Sequence, residues 1–355
     1  MAKMEYVVYE FPDYAEQVIN LLLEEDWLIH SFSLNDEKEI FNPSAYLYNS
    51  EMSGVEYAIH LDLNIYQYIL NAFKKEKKNK LHRSAIALVV FAKFTNVKFD
   101  PTIAIYEKLN YKNQCPDELI DDLILFRQID NAEMDHLAEF VLSETDSIKL
   151  PNPACLDRSQ LNEKLTEYRR LKKWDTLYVL VLKLTELYFC DRGLSNEDKL
   201  EVFWRWCHEE FLFSLVATCL AIKLFGKQRI PKLMKYAPRH SAEINKKHLI
   251  NMTWDLFLLD KFFENWVNKP DQQEFIYASN DKPFQEVLKT AIEVQSNGVD
   301  VILNRDLSPA LIKSFLTTFE QVMTKQGRSI SSVTDFQSFR EGLIVDYESA
   351  LKVRA

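Results

Sequence analysis

A short apolar run over residues 57–61 is followed at once by residues at helical spacing, giving EYAIHLDLNIYQYILNAF from Glu56 to Phe73. The pattern predicts a buried strand that delivers Asp62 and Asn64 to its carboxyl end and then turns into a helix. Open α/β sheets bind ligands outside the carboxyl ends of their strands, so an acid at that place is positioned for chemistry rather than packing.

On either side of this stretch the pattern is mixed. Residues 5–11 are strand-like, a helix is expected from about 13 to 25, and 27–32 form a candidate second strand. Residues 34–54 are polar and turn-rich and are expected as a loop with weak extended structure. Residues 84–94 are apolar on nearly every side, and their alanines and length favour helix. Asp100-Pro101 is a helix start, with Asp100 as cap and Pro101 where a missing N–H costs nothing; the helix carries Glu107.

From 116 to 247 the pattern is almost wholly helical, with candidates at 117–129, 132–143, 161–171, 174–190 and 196–225. Beyond it come a hydrophobic helix at 252–267 with Asp255 in its first turns, a strand at 274–278, a helix at 282–295 and a short strand at 299–303. A strand–helix–strand unit of this kind is what a parallel sheet requires. Two further helices are expected at 309–323 and 335–351. The fold expected is therefore α/β, a three-layer parallel-sheet core with an inserted all-helical lobe. Its divisions are an N-terminal extension (1–54), a discontinuous core (55–114 and 248–304), the helical insertion (115–247) and a C-terminal helical segment (305–355).

Composition narrows the function. The longest apolar run, 211–224, is interrupted by Ser214, Thr218 and Lys223 and is short for a membrane span, so no membrane association is expected. Residues 1–11 hold no apolar signal core, and five cysteines never pair as C-x-x-C, which together suit a reducing cytoplasm and argue against a zinc site. Six glycines, nowhere clustered, leave no phosphate-cradling loop of the dinucleotide or P-loop kind. Cys207-His208 on a helix reads as core and surface neighbours rather than a catalytic dyad, and Arg239-His240, being adjacent, lack the spacing of a helical Arg–His ribonuclease motif.

A net charge of −10 argues against sequence-independent coating of DNA but does not exclude a nucleic-acid enzyme, because local patches carry the phosphate contacts. One such reversal spans Lys223, Lys227, Arg229, Lys232, Lys235, Arg239, Lys246 and Lys247, with Glu243 the single acid among them. It is either a solvated face or a surface that holds a phosphate backbone, with Lys282 as a further contact.

Phosphodiester cleavage by Mg²⁺ or Mn²⁺ needs a few carboxylates converging at one edge of the fold. Asp62, Glu107, Asp255 and Asp281 occupy contexts that suit this. Each has a plainer explanation: Asp62 and Asp281 as helix caps, Glu107 on an exposed helix face. Asp255 carries most weight. Its helix is apolar on most sides, and a carboxylate there is costly without a metal or a cationic partner.

Taken together, DLN after a strand, a helical Glu, WDLFLLDKF, and a strand ending SND before a helix resemble the PIN-domain nucleases. The resemblance covers roughly 55–110 and 248–304 and departs from the compact family pattern in the helical block and the terminal segments. It implies that Asp62, Asp255 and Asp281 bind Mg²⁺ or Mn²⁺, and that Glu107 binds a second metal or positions water. Ser279 then supplies the hydroxyl of the last motif and Asn64 a supporting amide. It further implies an endonuclease favouring RNA over DNA, in a toxin or phage-defence setting. A homo-oligomer or a regulatory protein partner is left open. Two rivals stand beside it. One is a phosphatase with Asp62 as nucleophile, disfavoured by Asn64 where a second acid is wanted. The other is a non-catalytic interaction module whose acids are caps and whose helical lobe binds a protein.

Overall fold

The strand Glu56–Leu61 is buried over its last three residues and has a hydrogen-bonded neighbour along each edge. The computed structural model describes residues 8–30, 37–111, 115–143, 145, 147, 149–153, 157–167, 171–191, 193–268, 270–324 and 335–353. They form two compact units, the first comprising residues up to Arg170 with Asn265–Asn280, the second Leu171–Glu264 with Asp281 onward.

The first unit contains α1 (Ala15–Glu25), β1 (Leu28–Ile29), α2 (Pro43–Ser53), β2 (Glu56–Leu61), α3 (Leu63–Lys74), α4 (Lys80–Phe94), β3 (Lys98–Asp100), α5 (Thr102–Tyr111), α6 (Pro116–Asp130), α7 (Met134–Leu142) and α8 (Arg158–Glu167). The second contains α9 (Lys172–Phe189), α10 (Asn196–Glu209), α11 (Leu215–Phe225) and most of α12 (Ala242–Asn268). After β4 (Gln273–Ala278), which belongs to the first unit, the second resumes with α13 (Lys282–Asn297), α14 (Val299–Asp306), α15 (Pro309–Thr324) and α16 (Phe336–Ala350).

Among the described residues the sheet runs β1-β4-β2-β3. β2 pairs in parallel with both neighbours, in registers that set Ile59 against Phe99 on one side and Ile276 on the other. β1 pairs antiparallel with β4, so the small sheet is mixed and the chain is predominantly helical. α4 is the hub of this unit: every residue from Ala85 to Ala92 is buried, and α1, α3 and α7 all pack on it. Its start is fixed by a reciprocal cap, the Asn79 side chain accepting from the His82 N–H while the His82 ring accepts from the Asn79 N–H. In the second unit α9 packs against α10, α11 and α16, and Arg340 donates to the Lys172 carbonyl at 2.7 Å. No helix among the described residues is long and apolar enough to cross a membrane.

Several elements differ from expectation. Residues 299–303 are not a strand; they open α14, which follows Gly298 at φ +82. Ile302, Leu303, Asp306 and Leu307 are buried while Val301 is exposed, a helical period that a five-residue apolar run does not reveal. The expected strand–helix–strand unit is thus absent there. Residues 37–53 are a 3-10 turn followed by α2, whose Pro43 takes a first-turn position after Asn42. Residues 8–11 form no strand, and residues 5–7 lie outside the described residues, as do 31–32 at the end of the second candidate strand. The helix expected at 196–225 is two, because Ser214 caps a new start by accepting from the Ala217 N–H. α12 begins at Ala242, ten residues before expectation, so Asp255 sits in mid-helix and not in its first turns.

Candidate functional site

In the first unit the carboxyl end of β2 places Asp62 as predicted. Its backbone N–H donates to the Ala278 carbonyl at 3.0 Å, which continues the β2–β4 pairing past the strand end. Asp62 occupies the cap position of α3, yet its side chain makes no cap hydrogen bond. It accepts instead from the Ser279 hydroxyl at 2.9 Å and from the Asn64 amide at 3.4 Å. Ser279 is buried, and its N–H donates to the Trp27 carbonyl. Asn280 is held from both sides, accepting from the Trp27 indole at 3.1 Å and donating to the Tyr68 hydroxyl at 3.3 Å. The motif hydroxyl and the first aspartate therefore meet at one sheet edge. Trp27 and Tyr68, which fix that edge, carry no sequence signal beyond aromatic character.

Glu107 is buried on α5, not exposed. The next residue, Lys108, is also buried and pairs with Asp122, which Lys74 reaches as well. Burial works to raise the Asp122 carboxyl, but hydrogen bonds from the two lysines outweigh it and hold the group below its ordinary value.

In the second unit Asp255 and Asp281 come together. Lys235 Nζ lies 2.6 Å from Asp255 Oδ2 and 2.6 Å from Asp281 Oδ2. The other oxygen of Asp281 accepts from the Phe284 N–H at 3.1 Å, so this residue does cap its helix while its partner oxygen faces the lysine. Burial works to lower Lys235, but the two carboxylates overcome it and hold the ammonium above lysine's ordinary range. Lys235 is thus turned onto acids rather than outward to a phosphate backbone. It is also the cationic partner that Asp255 needs. A small apolar cavity of about 10 Å³, lined in part by Leu256, Leu259 and Phe284, adjoins Asp255.

The other basic residues of this segment divide into two groups. Lys223 is buried and paired at 3.0 Å with Asp306, itself buried, so it is structural and cannot touch a nucleic acid. Lys246 pairs with Glu348 at 3.2 Å and Lys247 with Glu243 at 2.6 Å. Lys227, Arg229, Lys232 and Arg239 are exposed, as is Lys282 at the first position of α13.

The chain matches no family model, no curated protein and no solved structure. The resemblance to PIN-domain nucleases therefore rests on the quoted residues alone. Among the described residues no three His, Cys, Asp or Glu side chains group in a way that holds a metal ion. What the second unit does offer is two carboxylate oxygens converging on one point of positive charge. A hard divalent ion is commonly held by one or two carboxylates and several waters, so this donor set suits Mg²⁺ or Mn²⁺ once the lysine is displaced.

Proposed function

We propose that the chain is a divalent-metal-dependent nuclease, acting on RNA in preference to DNA, with Asp255 and Asp281 as ligands for Mg²⁺ or Mn²⁺. One observation carries this: oxygens of two acids, separated by twenty-six residues, both lie 2.6 Å from a single cationic atom. Such a metal supplies water activation and neutralises charge that develops on the phosphate. Asp255 and Asp281 would hold such an ion, and Lys235, once released from them, would offer its ammonium to a phosphate oxygen. The family resemblance gives Asp62 a metal-binding role, and the Ser279 hydroxyl at 2.9 Å holds its carboxylate in one orientation. Glu107, a three-layer PIN-like core and a cytoplasmic setting belong to the same proposal.

The test is cleavage of a labelled single-stranded RNA in Mn²⁺ by Asp255→Asn and Asp281→Asn. Asparagine is as good a cap as aspartate, so the start of α13 survives the second change. Both variants should lose cleavage while still unfolding cooperatively, and Asp62→Asn tests the third acid separately. Retained cleavage in the first two removes them from the chemistry.

A second reading has an observation in its favour: the two carboxylates already share a cation of their own, Lys235, as a purely structural ion-pair group does. An interaction module of that kind gains no thermal stability from Mn²⁺, whereas a metal site does.

A further inference from the structure

The loop between α11 and α12 is built to hold a shape. At Gly226 a Cβ would lie 2.5 Å from the Ile222 carbonyl oxygen, so only glycine fits against the end of α11, and 3.1 Å from the Asp306 carbonyl oxygen of α14. The Lys227 N–H donates to the Asp306 carbonyl at 2.8 Å and its Nζ to the Leu307 carbonyl at 2.7 Å. Ile230 donates back to the Lys223 carbonyl, and after Pro231 the backbone of Lys232 is left-handed, with φ +63.

A surface concavity of about 380 Å³ opens on this loop, within the range of small-ligand sites. Lys227, Arg229 and Lys232 line it, together with Tyr188, and no carboxylate does. Arg229 and Lys232 have no ion-pair partner among the described residues. Tyr188, 38 % exposed, is backed by the rings of Phe189 and Phe225 at 4.8 and 5.8 Å. The buried Lys199, which does not line the concavity, donates to the Tyr188 carbonyl at 3.3 Å and lies 5.9 Å from the Phe225 ring, tying down the residue that carries the exposed ring. Cations gathered without acids on a chain of net charge −10 mark a place selected for an anion.

We propose that this concavity binds a nucleotide unit, the cations taking its phosphate and the Tyr188 ring stacking on its base. A free nucleotide and the end of a single strand present the same chemistry, whereas a duplex keeps its bases stacked on one another. The site requires no metal and stands whether or not Asp255 and Asp281 hold one.

The experiment measures binding of a fluorescent ATP analogue and of a labelled oligouridylate to the full chain in EDTA, with inorganic phosphate as competitor. The variants are Arg229→Gln with Lys232→Asn, Tyr188→Ala and Tyr188→Phe. Asparagine tolerates the left-handed backbone at 232 while removing the charge. The double variant should lose about tenfold or more, and its salt-dependence slope for the oligonucleotide should fall by about 1.4, the share of two phosphate contacts to a single strand. Tyr188→Ala should bind roughly five- to a hundredfold more weakly, and Tyr188→Phe as the parent does. Binding of the oligonucleotide alone identifies a strand as the source, and of the ATP analogue alone a free nucleotide. The site is overturned if the double variant, melting normally, binds both probes like the parent, if the parent binds neither, or if Tyr188→Ala leaves binding unchanged.

Discussion

Asp255 lies on a helix that is apolar on most sides, and a carboxylate in such surroundings needs a cation. Lys235 fills that need now, and removing it is the sharpest probe of whether a divalent ion can replace it. In Lys235→Ala the carboxylates of Asp255 and Asp281 are left facing one another. The loss expected is about 1–3 kcal/mol, below that for a fully buried pair because the side chains keep 16–19 % exposure. The raised Lys235 value makes its contribution fully present below lysine's ordinary range and lost only at more alkaline pH, so this loss does not vary around neutrality. Mn²⁺ should then raise the melting temperature of the variant more than that of the parent; an equal or absent rise leaves the pair purely structural. The need for a cation at Asp255 was legible in the sequence from the burial of its helix. Which cation was not, since Lys235 stands in a basic run where every lysine looks alike until the fold turns one inward.

At the scale of elements, stability rests on local pairs that titrate. The cap of α4 needs a neutral His82 ring, because the ring nitrogen accepts from the Asn79 N–H. Burial lowers the His82 value, and Lys75 and Lys78 lower it further. A depressed histidine contributes stability that is present above its unfolded value of about 6.5 and is lost as pH falls through the folded one. His82→Gln keeps an acceptor at the third helical position and removes the titration. Its urea midpoint should fall less than the parent's as pH drops below about 6.5; parallel curves would show that the cap does not sense pH. The comparison is needed because burial also lowers His248, which titrates on the same side. Element by element, β2 and α3 were legible because a buried run ends in a polar pair and then changes period. α2 was not, because Tyr46 is its one buried residue and no apolar stripe announces it. α14 was mistaken for a strand because both periods fit five residues.

At the scale of the whole chain, the first unit is discontinuous and depends on a strand supplied late. β4 stands between β1 and β2, so a chain ending at 170 leaves β1 without its partner and opens one edge of β2. It also loses Ser279 from Asp62 and the Trp27–Asn280 hydrogen bond. Ile276 and Ala278, both fully buried on β4, leave with it, and uncovering a side chain of isoleucine size costs roughly 1.5–3 kcal/mol by itself. Typical domain stability is about 5–15 kcal/mol, so this loss, added to that of the β2–β4 hydrogen-bond ladder, is a large share of it. A fragment of residues 1–170 should therefore lack a cooperative urea transition. The same fragment with residues 265–280 joined through a flexible linker should regain one, since the parallel β2–β4 pairing needs only that segment. Cooperative unfolding of the short fragment would mean that α4 and the helices packed on it suffice without the central strand. The edge that holds Asp62 would then be an addition to the first unit rather than part of its framework.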